Sequence, residues 1–252
     1  MSSSDLRDFE GRVALLTGAS RGLGRAAAAR LLERGAKVAI NVRDQARADR
    51  VAAELGPGAI GLGGDLAEPG VPEALVAATL ERLGRLDVLV NNAAFADGTR
   101  FEQLTAEQWR LAFEVNVTAP FLLSRAAVPT MKARGYGRIV NVSSTAGRMV
   151  STLGGAHYTA SKTALLGLTR ASAKELGKYG ITVNAVCPGM IDTELTREHA
   201  TSEALAGHAA RYPVPRLGTA REVADLICFA ASEAAGYITG ASLDINGGDL
   251  MM

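Results

Sequence analysis

Two patterns of apolar positions alternate along the chain. Short, nearly continuous aliphatic runs ("RVALLT", "KVAINV", "AIGLGGD", "LDVLVNN", "GRIVNVSS" and "ITVNAVCPG") predict strands. Between them, "GRAAAARLLERG", "DQARADRVAAELG", "VPEALVAATLERLG", the long segment from Ala106 to about Ala133 and "YTASKTALLGLTRASAKELGKYG" carry apolar residues at helical period. Strands such as "DVLVNN" have no polar side to face water, as expected when helices cover both faces of a parallel sheet. The pattern predicts an α/β protein built on one doubly wound parallel sheet.

Gly35, Gly84 and Gly180 each follow a helical segment directly before a strand, where an achiral residue can close the helix. The chain has no repeat, low-complexity tract or linker, so a single domain over residues 1–252 is expected. From about Ile191 to Pro215 the alternation breaks, and this polar, alanine-rich stretch reads as a helical insertion or substrate lid.

The first strand runs into "TGASRGLG", Thr17 to Gly24, and then into a helix. Glycines at 18, 22 and 24 let the backbone turn sharply and approach a ligand, while the helix behind them offers free N–H groups and a positive dipole end. That combination predicts a dinucleotide pyrophosphate site, so the sheet is expected to be of the Rossmann type. The spacing GxxxGxG is neither GxGxxG nor a phosphate loop ending in Gly-Lys-Ser/Thr. Where an NAD site of this fold commonly has an acidic residue, at the end of the second strand, this chain has Arg43. With Arg21 inside the loop, that guanidinium suits a 2′-phosphate and favours NADP(H), while the adjacent Asp44 keeps NAD(H) open.

Composition narrows the function classes. The 252 residues are 48% hydrophobic and 21% charged, in the range of a globular protein. With 27 basic and 26 acidic residues the net charge is +1, and no long Lys/Arg run points to nucleic acid or an anionic membrane. Cys187 and Cys228 sit in apolar surroundings without CxxC spacing, and read as buried thiols of a reducing compartment. "MSSSDLRDFEGR" lacks the apolar core of a signal peptide, and no stretch approaches 18 uninterrupted apolar residues. A cytoplasmic protein without a membrane or nucleic-acid partner is expected.

Within "AHYTASKTALLGL", Tyr158 stands four positions before Lys162, so a helix would put both on one face, about 5–6 Å apart at Cβ. A phenol with a pKa near 10 is a poor acid or base at neutral pH, and a neighbouring cation favours its phenolate. Such a pair can pass protons.

In these residues and in further motifs along it, the chain resembles the short-chain dehydrogenase/reductase family over nearly its whole length. The matching pieces stand in order: "TGASRGLG", "GDL" with Asp65, "NNAA" at 91–94, Asn116 in "FEVNVTAP", "NVSS" ending at Ser144, "YTASK" at 158–162, "CPGMIDT" at 187–193 and "YITG" at 237–240. The resemblance implies that Tyr158 donates the proton to a carbonyl oxygen and that Lys162 holds the nicotinamide ribose and depresses the tyrosine pKa. By the same resemblance Ser144 hydrogen-bonds the substrate oxygen and Asn116 supports a proton-relay water. It further implies cofactor contacts from Gly18, Ser20, Arg21, Gly22, Leu23, Gly24, Arg43, Asp65, Leu66, Asn92, Ala93, Tyr158, Lys162, Pro188, Gly189, Ile191 and Thr193. No metal is expected, since His199 and His208 show no ligand pattern.

Two departures from the family pattern bear on the site. Ala94 replaces the usual glycine of "NNAG", adding a methyl beside the cofactor path. The Ser144–Tyr158 interval is one residue longer than in many members, so Ser143 and Thr145 are rival hydroxyls, with the extra residue expected in the 148–155 loop. His157 reads as a pocket wall or a surface group rather than a second acid. Met251 and Met252 could fray or pack at a subunit interface.

The overall look is closest to 3-oxoacyl-acyl-carrier-protein reductases, which implies an NADP-dependent interconversion of a ketone and a secondary alcohol. An NAD-dependent sugar, steroid or other alcohol dehydrogenase is the alternative within the family. A non-catalytic dinucleotide-binding regulator is the alternative outside it, opposed by the complete Asn, Ser, Tyr and Lys set. Resemblance also implies a homotetramer through helices matching 106–133 and 157–178.

Overall fold

The computed structural model describes residues 7–151 and 153–252, except the side chains of Leu195 and His199. In chain order, β1 (Val13–Thr17), α1 (Gly22–Glu33), β2 (Lys37–Val42), α2 (Gln45–Leu55), β3 (Ala59–Gly63), α3 (Val71–Leu83) and β4 (Val88–Asn91) make the first half. The second half begins with α4 (Ala106–Phe113), α5 (Ala119–Arg134), β5 (Gly137–Val142), α6 (Ala156–Leu176) and β6 (Ile181–Pro188). It continues through β7 (Ile191–Asp192), α7 (Glu194–His199), α8 (Ser202–Ala209), β8 (Gly218–Thr219), α9 (Ala220–Ala231) and β9 (Ser242–Ile245).

Seven strands form one sheet in the order β3-β2-β1-β4-β5-β6-β9, all pairings parallel. This is the doubly wound sheet that the apolar runs predict. Period-two alternation divides each strand between two cores. Ala14, Leu16, Val38, Ile40, Val88 and Val90 face α1, α2 and α9, whereas Leu15, Ala39, Leu89 and Ile139 face α3 and α5. Winding reverses between β1 and β4, so their carboxyl ends diverge and open the crevice where such sheets bind ligands.

Gly35, Gly84 and Gly180 adopt φ of 95°, 78° and 74°, the left-handed closure expected of them. The 106–133 segment is helical throughout, with a π turn over Glu114–Thr118 between α4 and α5. It has the length and mean hydropathy of a membrane span, yet Ala112, Ala119, Leu123, Ala127 and Met131 pack in the core. Its outer side leaves Trp109 and Phe121 40% and 44% exposed. The 191–215 segment folds into α7 and α8.

The last helix and last strand have no counterpart among the predicted elements. α9 starts at a reciprocal capping box between Thr219 and Glu222 and buries Val223, Ala224, Ile227 and Cys228. β9 pairs with β6 and forms an edge of the sheet.

Candidate active site

A cavity of about 1030 Å³ runs across the carboxyl ends of the strands, from the end of β2 past the glycine loop to the first turn of α6. Gly18 and Gly22 take φ of +71° and +55° as β1 turns into α1. Gly24 has no room for a side chain: a Cβ there would press on the Gly18 carbonyl and lie 2.5 Å from the Asn92 amide nitrogen. The N-cap of α1, Arg21, makes no side-chain capping bond, which leaves the first N–H groups of the helix aimed at the cavity. A tight glycine cradle ending in uncapped N–H groups fits a pyrophosphate.

Thr17 and Asn92 hold that cradle against the end of β4. The Thr17 hydroxyl accepts from the Asn92 and Ala93 N–H groups, each at 3.1 Å. The Asn92 amide donates to the carbonyls of Thr17 at 2.9 Å and Gly18 at 3.1 Å. Its nitrogen is thus engaged in supporting the loop, and its carbonyl oxygen remains for a ribose. Asp65 caps its own turn by accepting from Ala67 N–H at 3.0 Å, and Leu66 is buried beside it.

At the end of β2, the Asp44 carboxylate caps α2, accepting from Arg47 N–H at 2.8 Å. Arg43 lines the cavity, and so does Arg47, one helical turn further on and absent from the sequence reading. Arg21 pairs through both guanidinium nitrogens with Glu198 of α7, which ties the 191–215 segment to the glycine loop. Thr193 caps α7 through Thr196, and Gly189 N–H donates to the Ile245 carbonyl at 2.9 Å.

On the other side of the crevice, Ser144 leaves β5 in extended conformation and caps a single 3₁₀ turn, accepting from Ala146 N–H at 3.1 Å. Its hydroxyl also lies near enough to Tyr158 to pull the phenol's pKa down. Both rival hydroxyls belong to residues lining the cavity, but Ser143 is buried and donates to the Lys162 carbonyl at 3.1 Å. Ala94 is exposed to the cavity and needs no left-handed backbone.

Lys162 is 2% exposed, and its ammonium donates to the Val142 carbonyl at 2.7 Å, 5.6 Å from the Tyr158 ring centre. Burial without a counter-charge lowers its pKa to about 8. Burial also raises the Tyr158 pKa above its usual 10, against the opposing pull of the Ser144 hydroxyl. The direction is opposite to the depression implied by resemblance: the ammonium is turned to a backbone carbonyl, so burial dominates. A phenol held this way is a proton donor at neutral pH.

Asn116 is 1% exposed, within the π turn. Its side chain accepts from Phe95 N–H at 2.7 Å and donates to the Phe95 carbonyl and the Ser161 hydroxyl, both at 2.9 Å. It therefore joins the loop after β4 to α6. The other residues expected in the catalytic set and at the cofactor line the cavity, whereas His157, expected as a pocket wall or surface group, is fully buried behind it, packed beside Phe95 and Asp97. The structure adds Arg47, Asp97, Met190, Tyr212 and Asp249 to that lining.

Comparison with known proteins follows this geometry. A family model described as "Enoyl-(Acyl carrier protein) reductase" matches residues 18–249. The chain is 38% identical over 245 residues to the 3-oxoacyl-(acyl-carrier-protein) reductase of Escherichia coli, covering 97% of this chain and 100% of the relative. It is 43% identical over 249 residues to an uncharacterized oxidoreductase of Thermotoga maritima, covering 96% and 98%. The crystal structure of a 3-oxoacyl-(acyl-carrier protein) reductase from Brucella melitensis is similar at a TM-score of 0.92 and 35% identity, covering 100% and 97%. With the glycine cradle and the Ser144 and Tyr158 hydroxyls lining one cavity, these likenesses make the chain a member of the short-chain dehydrogenase/reductase family, an NAD(P)-dependent oxidoreductase acting on CH–OH or C=O groups.

Proposed function

We propose that the protein is an NADP-dependent reductase of 3-oxoacyl thioesters and similar ketones. The Tyr158–Ser144 hydroxyl pair beside buried Lys162 is the observation that carries this reading. When bound, the nicotinamide supplies the hydride. The Tyr158 hydroxyl donates its proton to the ketone oxygen, and the neighbouring Ser144 hydroxyl stabilises the same oxygen as negative charge develops. Lys162 holds the ribose, and Asn116 keeps the loop after β4 against α6. In the reverse direction the same phenol accepts the alcohol proton.

Arg43 and Arg47 support a 2′-phosphate at the adenosine end, beside Asp44, one of whose oxygens caps α2. Curated relatives from Escherichia coli, Vibrio cholerae and Synechocystis carry the name 3-oxoacyl-(acyl-carrier-protein) reductase, which supports thioesters as the substrate class. The exposed apolar side of α4 and α5, with Trp109 and Phe121, supports assembly into a homotetramer. Two free, buried thiols, Cys187 and Cys228, support a cytoplasmic setting. We read the 191–215 segment, latched through Glu198 to Arg21, as the lid of a single-domain enzyme.

The test follows reduced-nicotinamide absorbance with an acetoacetyl thioester, in parallel with NADPH and NADH. Turnover that favours NADPH and falls by about 10²–10⁴ in Tyr158→Phe, with cofactor binding retained, is the expected result. Tyr158→Phe turning over at the parent rate would overturn the assignment.

A further inference from the structure

The end of the cavity away from the arginines is walled by Phe95, Asp97, Leu153, Met190, Tyr212 and Asp249. Among the described residues lining that end, the charged side chains are the two carboxylates. Arg21, Arg43 and Arg47 belong to the glycine loop, the end of β2 and the start of α2, and Lys162 is turned to Val142. A ketone bound against Tyr158 therefore meets two carboxylates beyond its carbonyl, and Lys162 is the cation nearest to it among the described residues of the lining.

Asp97 is a fixed group rather than a loose surface acid. Its carboxylate accepts from Thr99 N–H at 3.0 Å and from the Gln108 amide at 3.1 Å, and its backbone carbonyl accepts from Gly155 N–H at 2.8 Å. The Nε2 of His157, in a ring with 0% exposure, lies 3.3 Å from the same carboxylate, although neither ring nitrogen has a hydrogen-bond partner. Gly155 admits that ring, since a Cβ there would stand 2.8 Å from its Cε1. Burial pushes the carboxyl pKa up, but the Thr99 and Gln108 bonds and the nearby imidazole outweigh it and hold the group below its usual range. A carboxylate has about four acceptor directions. Thr99, Gln108 and His157 face three, and the side chain keeps 28% exposure toward the cavity.

We propose that Asp97 selects the charge of the substrate, rejecting ketones that carry an anionic group and favouring neutral carbonyl compounds with an N–H or O–H donor beside the reacting ketone. Resting on the ketoreductase reading above, it makes a neutral acyl derivative the substrate and the free oxo acid a poor one.

Acetoacetamide and acetoacetate differ by an amide nitrogen against a carboxylate oxygen and otherwise share one shape. The wild-type enzyme is expected to favour the amide in kcat/KM on the order of tenfold, through KM. Asp97→Asn is expected to remove most of that preference by lowering KM for acetoacetate. Asp97→Ser gives the same reading should the asparagine variant fail to fold. If the small ketones bind without being reduced, the same ratio is read as their inhibition constants against the acetoacetyl thioester. A wild-type preference for acetoacetate, or a ratio unchanged in a folded Asp97 variant that still reduces the thioester, overturns the proposal alone. No reduction of thioester, amide or acid with NADPH bound overturns the ketoreductase reading, and the proposal with it.

Discussion

The Lys162 ammonium is bonded to the Val142 carbonyl at 2.7 Å, in an interior that supplies it no carboxylate. Its pKa in the folded chain, about 8, lies below the usual 10.5, so the folded state binds the proton less tightly than the unfolded state. The penalty on stability is full below pH 8 and fades as pH rises from 8 toward 10.5. Lys162→Met should therefore stabilise the unliganded protein at pH 7 by on the order of 1–3 kcal/mol, with a smaller gain at pH 10, while abolishing turnover. Thermal melts of both proteins across that range check it. A destabilised variant at pH 7 would contradict the assignment.

Asn116 spends its side-chain amide on three bonds that no aliphatic residue can replace. Asn116→Ala leaves the Phe95 backbone groups and the Ser161 hydroxyl short of partners and should cost about 2–4 kcal/mol in denaturant unfolding. Turnover should fall more than NADPH affinity, because the loop that moves borders the ketone and not the adenosine.

Gly24→Ala puts a methyl into the Gly18 carbonyl and the Asn92 amide. NADPH affinity, read by fluorescence titration, should fall by at least about tenfold, since the N–H groups must shift by tenths of an ångström to admit the methyl. Affinity at the parent level would mean that the cradle is not where the pyrophosphate sits.

Arg47 gives a discriminating experiment on cofactor choice. Arg47→Ala should weaken NADPH on the order of tenfold and leave NADH nearly unchanged, because a guanidinium–phosphate bond is charge-assisted and the NADH ribose has no phosphate to lose. Equal weakening of both cofactors would remove Arg47 from the 2′-phosphate site.

Much of this was legible in the linear pattern, for a reason specific to parallel sheets. Strands β1, β4, β5 and β6 are buried on both faces, so they appear as unbroken apolar runs. β9 lies at the sheet edge, partly exposed, with Asp244 interrupting it, and gave no such run. α9 did have a signal, the Thr219–Glu222 capping box ahead of "VADLICFAA". The π turn at Asn116 cannot be read from periodicity, since its residues continue the apolar pattern on either side. Asp97 was invisible because its setting is assembled at a distance: Gln108 and His157 reach it from two different helices. Arg47 stands four residues after Arg43, but only the direction of α2 reveals that both line one cavity.

The clasp of Thr17 and Asn92 sets an order of events during synthesis. The glycine loop leaves the ribosome early, yet its shape depends on hydrogen bonds from residues 92 and 93 and on β4 settling beside β1. A nascent chain with only the first three strands emerged carries the whole glycine motif and lacks the clasp that shapes it. The pyrophosphate cradle of the nicotinamide cofactor is thereby completed only in chains that have brought β4 beside β1.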